Sequence, residues 1–376
     1  MKHISPRKTN DEIHQMNKIF NHGFHRWKSR CFLSAPSVKS VVEFPRSRLA
    51  ALCSPTLILC LVLGLMDFPA AAQIQQAWVA KYNNGITNGN HQALKMALDP
   101  SGNIYVLGVS QNANTNTGYV TIKYAPNGNQ LWAARYDSTN FPSATPAGFA
   151  VDSLGNVVVT GNAVTLKYDM NGNQLWSAPS NAQAVAIDSG QNVYLTGVSS
   201  NFTTMKLNPA GSNLWTATWI YYGLPNLSQV IAVDASSNVY VAGRESWPFE
   251  RDIYVHVGLL KYDQNGNQLW ETNSLYYGGM DGDVHVDGLI LDSSGNTYYG
   301  ANFVGSGGGT FLTYQYSSGG SAGWFADNPT GYEGSTAAGM ALDSSGDVFV
   351  TGQNVRYPPL PAYGTYKIDT NGNYIW

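Results

Sequence analysis

One stretch of the chain concentrates groups that do acid–base or metal chemistry. Asp281-Gly282-Asp283-Val284-His285-Val286-Asp287 sets four ionisable side chains at alternate positions. In a strand, period-two alternation puts Asp281, Asp283, His285 and Asp287 on one side. Carboxylates with an imidazole suit Ca2+, Mn2+ or Zn2+, and they equally suit a proton-transfer pair. A solvated polar loop is the third reading and needs no ligand. The cofactor expectation is therefore a divalent cation such as Ca2+ here, or none.

A second stretch, Arg244 to Asp252, packs five charges and two aromatics into nine residues of a chain that is only 12% charged. Arg244, Trp247, Phe249 and Arg251 have the composition of a binding hot spot. The same residues would also serve as an ion-pair cluster under a Trp247 lid. Tyr221-Tyr222 and Tyr276-Tyr277 suit a stacking platform for sugars, or structural packing. Sharper motifs are absent: there is no phosphate-binding loop, H-E-x-x-H or G-x-S-x-G. Asp263–Asn267 imitates a calcium loop, but its glycine stands fourth rather than sixth, so it reads as a hairpin turn. Beyond residue 73 only His91, His256 and His285 remain, which gives a histidine-based triad no supporting spacing.

The elements that carry these residues come from two alternating phrases. The first is ALDPSGNIYVLG (Ala97–Gly108), with versions at Ala150, Ala186, Ala232, Ile290 and Ala341. The second is TLKYDMNGNQLW, ending at Trp176, with versions ending at Trp132, Trp215, Trp270, Trp324 and Trp376. Trp-to-Trp spacings of 39 to 55 residues are those of a propeller or solenoid. Each unit reads as four strands. An apolar strand ends in Asp, a D-x-S-G-N turn leads to a β-branched and Tyr strand, a Lys-Tyr strand follows, and N-G-N turns into the Trp strand. No useful 3.6-residue periodicity interrupts the body. The expectation is an all-β fold, a β-propeller of four-stranded antiparallel blades, with the registered tryptophans packed between blades.

The D-x-S-G-N-V-Y-V-T-G phrase at Asp152–Gly161 and Asp343–Gly352 resembles the bacterial β-propeller repeat family abbreviated SBBP. The D-x-N-G-N-x-x-W phrase is more loosely similar to the tryptophan-docking repeat of pyrroloquinoline-quinone-type propellers, with an Asp-to-Gly spacing one residue shorter. The SBBP resemblance spans about residues 76–376. It implies an exported or envelope-associated propeller and brings no catalytic residues.

Six copies of each phrase are present, but there are seven registered tryptophans. Ala77-Trp78-Val79-Ala80-Lys81-Tyr82 is a fourth-strand phrase with nothing before it, and Asn371–Trp376 begins another. Both cannot close one blade. The expectation is a chain missing its last blade or blades from a complete ring of seven, with a six-bladed ring and a redundant tail as the alternative.

Residues 1–73 stand apart. Arg46 and Arg48 precede an apolar run, Leu49–Met66, followed by Pro69-Ala70-Ala71-Ala72. That order is the pattern of a signal peptide cleaved near Ala72, with a retained membrane anchor as the alternative. The domain expectation is a leader over 1–73 and a propeller over 74–376. All three cysteines, Cys31, Cys53 and Cys60, lie in the leader, so the body holds neither disulfide nor thiolate metal site. Residues 74–376 carry eleven basic and twenty acidic residues, which argues against a nucleic-acid partner.

Spacing also predicts where recognition sits. The 1–2 and 3–4 turns of an antiparallel blade share one face of the disc and stay short here. The 2–3 loops and crossovers share the other face and vary in length. Variable loops on a rigid scaffold are where binding resides. The expected function is an exported scaffold that binds a protein, peptide or glycan, with the membrane met only through an uncleaved leader. The alternative is a hydrolase, lyase or quinone-type dehydrogenase working at the channel mouth.

Overall fold

The computed structural model describes residues 76–376, apart from residue 88 and the segments 199–200, 222–225, 250–251, 275–282, 306–307, 328–335 and 357–359. No helix occurs among the described residues. The strands form six antiparallel sheets in chain order. Blade 1 is β1 (His91–Leu98), β2 (Ile104–Gln111), β3 (Thr117–Tyr124) and β4 (Gln130–Tyr136). Blade 2 is β5 (Pro146–Val151), β6 (Val157–Gly161), β7 (Thr165–Tyr168) and β8 (Gln174–Ala178). Blade 3 is β9 (Ala184–Ile187), β10 (Val193–Thr196), β11 (Phe202–Leu207) and β12 (Asn213–Trp219). Blade 4 is β13 (Leu227–Val233), β14 (Val239–Phe249), β15 (Asp252–Tyr262) and β16 (Gln268–Asn273). Blade 5 is β17 (Asp283–Leu291), β18 (Thr297–Gly305), β19 (Gly308–Tyr316) and β20 (Ala322–Asp327). Blade 6 has three strands, β21 (Thr336–Leu342), β22 (Val348–Arg356) and β23 (Leu360–Ile368). The first strands touch in series, β1 to β5 to β9 to β13 to β17 to β21. This is the expected propeller architecture in six units.

The turns form as their residues dictate. In the first, Asp99 accepts the Ser101 and Asn103 backbone N–H groups at 3.0 and 2.9 Å and the Asn103 side-chain amide at 2.8 Å. Gly102 supplies the positive φ of 78°, which costs a glycine nothing sterically. Gln191 and Ser237 hold the same position in blades 3 and 4 at φ of 64° and 60°, so those two turns carry strain.

One contact set joins blade 1 to blade 2 and blade 4 to blade 5, and its Trp contact recurs at all five boundaries. Tyr105 on β2 donates to the Gly155 carbonyl of blade 2 at 3.0 Å. Lys123 on β3 and Trp132 on β4 both donate to the Met170 carbonyl of blade 2, at 3.3 and 3.0 Å. Lys123 also lies 4.8 Å over the Tyr105 ring and 3.6 Å from Asp99. Blade 4 repeats the set on blade 5, with Tyr240 to Gly295 at 3.3 Å, Lys261 to Ser318 at 3.2 Å and Trp270 to Ser318 at 3.1 Å. Each ring rests on the next blade's 3–4 turn glycine: Trp132 on Gly172, Trp176 on Gly211, Trp215 on Gly266, Trp270 on Gly320 and Trp324 on Gly372. The tryptophans therefore pack between blades, as the sequence predicts. Buried clusters fill the rest of each boundary. One joins Tyr240, Val257 and Leu259 of blade 4 to Leu289, Tyr299 and Leu312 of blade 5.

Candidate functional site

All the tight 1–2 and 3–4 turns lie at the end of the blades where this contact set operates. At the other end the 2–3 hairpins differ in length. β14 and β15 run 11 residues each, whereas β6 and β7 run 5 and 4. The β14–β15 hairpin projects past β13, whose pairing ends at Leu227 opposite Arg244. Arg244–Phe249 is thus strand rather than open loop. Its alternation pairs residue for residue with Asp252–Val257. Among the described residues nothing pairs with β14 on the β13 side at Pro248, a position where a missing N–H is tolerated.

The inner strands carry a polar cluster where blades 4 and 5 meet. β17 bulges at Asp287, between the Val286–Ala301 and Gly288–Gly300 pairs, and β13 bulges at the matching position, Gln229. A bulge places an extra residue out of the ladder and re-aims its side chain. Gln229 accepts the Val286 N–H at 2.9 Å, and its amide nitrogen lies 2.9 Å from His285 Nδ1. The Val286 bond fixes the orientation of the Gln229 amide, so Gln229 is the donor to His285. The imidazole proton is then on Nε2, which faces Asp287 Oδ1 at 3.5 Å. Asp287 also accepts from the Asn302 amide. Asn302 in turn accepts the Ala337 N–H of blade 6 at 2.9 Å.

Burial pushes the Asp287 carboxyl up to about 6, against the lowering effects of His285 and the Asn302 amide. His285 stays 64% exposed, and Asp287 only 19%. Asp283, 69% exposed, is held by Arg244 of blade 4 at 3.0 Å. The cluster can offer a ligand an imidazole, two carboxylates and a guanidinium. It can also exchange a proton near pH 6.

Of the predicted residues, Arg244, Asp283, His285 and Asp287 come together. Asp281, Arg251, Tyr276 and Tyr277 fall outside the described residues, as does Tyr222. Trp247 and Phe249 lie at the end of β14, in register with Tyr254 and Asp252. Among the described residues, no three His, Cys, Asp or Glu side chains converge where one metal ion could sit.

Glu245, next to Arg244, points the other way. It is fully buried, 3.0 Å from His256 Nε2, and accepts the Trp219 indole N–H of blade 3 at 3.2 Å. A Cβ at residue 258 would come 2.2 Å from the Glu245 carboxyl, so Gly258 is what makes room for it. Tyr221 stands edge-on to His256 at 5.4 Å.

Gln229, Asn302 and the Glu245–His256 pair were not singled out in sequence. A signal existed for the first two. Gln229 and Asp287 both stand five residues before the turn aspartates Asp234 and Asp292. Arg244 and Asn302 both stand ten residues after them.

No family model matches the chain, and no curated protein does. Solved structures overlap it. A polysaccharide lyase, an ulvan lyase of family PL25, is 9% identical with a TM-score of 0.48, over 74% of this chain and 80% of the lyase. A protein of unknown function from Bacteroides caccae is 13% identical with a TM-score of 0.41, over 68% and 86%. A gluconolactonase from Xanthomonas campestris is 14% identical with a TM-score of 0.35, over 73% and 97%.

Proposed function

We propose that this chain is a non-catalytic binding module of the β-propeller class, exported to the cell envelope or beyond. It captures a protein, peptide or glycan on its hairpin face. The observation that carries this is the blade 4–5 cluster. Asp283 and His285 face solvent, and the adjoining blade orients both through Arg244 and Gln229. Preorganised, exposed hydrogen-bonding groups beside a projecting hairpin serve recognition, because less freedom is lost when a ligand arrives. Export rests on the charge and apolar order of residues 46–72 and on the SBBP resemblance.

Binding to a panel of cell-surface glycans and peptides tests the reading. Asp283→Ala and His285→Ala should each weaken capture about tenfold, near the low end of hot-spot values, with thermal stability unchanged. Undiminished capture by both variants would count against this face.

One observation favours a second reading, catalysis at the mouth. Asp287 titrates near 6 beside an imidazole, the range suited to proton transfer at neutral pH. Turnover of any panel glycan that disappears in Asp287→Asn would select it.

A further inference from the structure

We propose that the free face of blade 1 and the outer side of blade 6 are the two walls of a docking site for one further three-stranded sheet of the same repeat. The fourth, outer strand that would complete that sheet into a blade is already present in this chain, as residues 77–82.

Three observations converge. The first concerns Ala77–Tyr82, which copies the β4 phrase Leu131-Trp132-Ala133-Ala134-Arg135-Tyr136 in type and order. It also occupies the place of such a strand. The Trp78 indole donates to the Pro126 carbonyl at 3.0 Å, as Trp132 does to Met170. The Trp78 ring rests on Gly128 and lies 6.1 Å from Tyr124, where Trp132 lies 6.4 Å from Tyr168. Ala80 and Tyr82 pack on Val120, Ile122 and Tyr124. Yet residues 76–82 belong to no strand and pair with none. A fourth strand is docked without the sheet it should complete.

The second observation is the apolar face of β1. Leu94, Met96 and Leu98 are 39, 70 and 62% exposed. The residues matching Met96 and Leu98 in blades 2 to 6 are buried or half-buried under the preceding blade. Five blade boundaries in this chain thus show what covers such a face.

The third is blade 6. Its fourth-strand position is taken by its own Tyr374–Trp376. Ile375 donates to the Lys367 carbonyl at 2.8 Å, and Lys367 to that of Trp376 at 2.9 Å. Residues 77–82 therefore cannot be the outer strand of blade 6. Trp376 holds the register of the docking tryptophans but stays 61% exposed, with no turn glycine beneath it. The occupant must offer β17-to-β19-like strands. Its third strand pairs with residues 77–82, and its 3–4 turn presents a positive-φ glycine to Trp376.

The test uses the full chain, with and without a copy of residues 283–320 joined after Trp376. In the unextended chain, amides 77–82 should exchange freely and Met96 should oxidise readily in peroxide. In the extended chain, those amides should slow at least a hundredfold, Met96 should resist oxidation, and Trp376 emission should shift to the blue. Unchanged exchange in a folded extended chain would overturn the proposal. Should the extension fail to fold, the unextended chain still decides. If amides 77–82 and Met96 are already protected in a monomer, another part of this chain is the cover. If they are protected in a dimer, the cover is a second copy. Either result rejects a further blade.

Discussion

Replacing Gly266 by alanine isolates the contact that repeats around the scaffold. Two costs add at this site. Gly266 has φ of 85°, and an alanine held there costs about 1–2 kcal/mol. Its Cβ would also come 2.8 Å from Trp215 Cδ2, closer than real carbons approach. Relieving that overlap costs about 1–3 kcal/mol. The sum is about 2–5 kcal/mol. Gly102 is the control, with φ of 78° and nothing nearer than Pro126 Cγ at 3.6 Å. Gly102→Ala should therefore cost only about 1–2 kcal/mol. Urea unfolding measures both, with the slope checked for constancy. A Trp215→Ala background completes the cycle. Trp215→Ala alone should cost about 3–5 kcal/mol, since it loses the Gln264 bond at 3.0 Å and contacts with Tyr194 and Tyr262. With the indole gone, the overlap is gone, and Gly266→Ala should fall to the Gly102 value. The coupling is then about 1–3 kcal/mol. Equal costs at Gly266 and Gly102, or an undiminished cost without Trp215, would refute ring-on-glycine docking as the joint between blades.

Asp287 has a folded pKa raised from 3.8 to about 6, so the folded chain binds more protons than the unfolded one between those values. Its contribution is fully present below about pH 4 and is lost as pH rises through 6, by up to about 3 kcal/mol. Asp287→Asn should flatten that window in a plot of unfolding free energy against pH. Asp188 has the opposite sign. Burial pushes its carboxyl up, but bonds from Asn192 and Tyr194 outweigh this and hold it below its ordinary value. Its stabilisation is present above about pH 4 and is lost on acidification, so Asp188→Asn should blunt the acid limb of the same plot. His256→Ala leaves the buried Glu245 carboxylate with only the Trp219 indole N–H and should cost about 3–5 kcal/mol by urea unfolding. Adding Glu245→Gln should recover much of that loss, and a double variant as unstable as the single would show that the charge is not what matters.

The fold was legible because its determinants are local and repeated. Asp, Gly and Asn in the turns each act within five residues, and the Trp register is spaced by the same turns. Even the clustering of variation on one face follows from strand count. The site was only half legible. Alternation brought out Asp283, His285 and Asp287. It could not show that a bulge sets Asp287 apart or that Gln229, more than fifty residues away, orients the imidazole. Such contacts cross a blade boundary, where sequence separation is large and periodicity is silent. The Glu245–His256 pair was hidden for another reason. Charged residues are almost never fully buried unless paired, so Glu245 stood out only as one of five charges in its stretch, and its burial rests on partners and on the space left by Gly258.

The two ends of the blades divide the work. Trp of each of blades 1 to 5 reaches the 3–4 turn of the next, joined by Tyr and Lys in blades 1 and 4, so the joint that holds the units together sits at the turn end. A residue at the hairpin end can change without disturbing that joint, and hairpin lengths there do differ from blade to blade. The cluster at blades 4 and 5 is the place where this freedom meets the frame. Arg244 and Glu245 are consecutive on β14 and face opposite neighbours. One holds Asp283 of blade 5, and the other holds Trp219 of blade 3. A ligand that pulls Asp283 away from Arg244 therefore acts on a strand anchored on its far side by a buried charge. The anchor limits how far the strand can yield, which favours a rigid recognition surface over one that closes around its ligand.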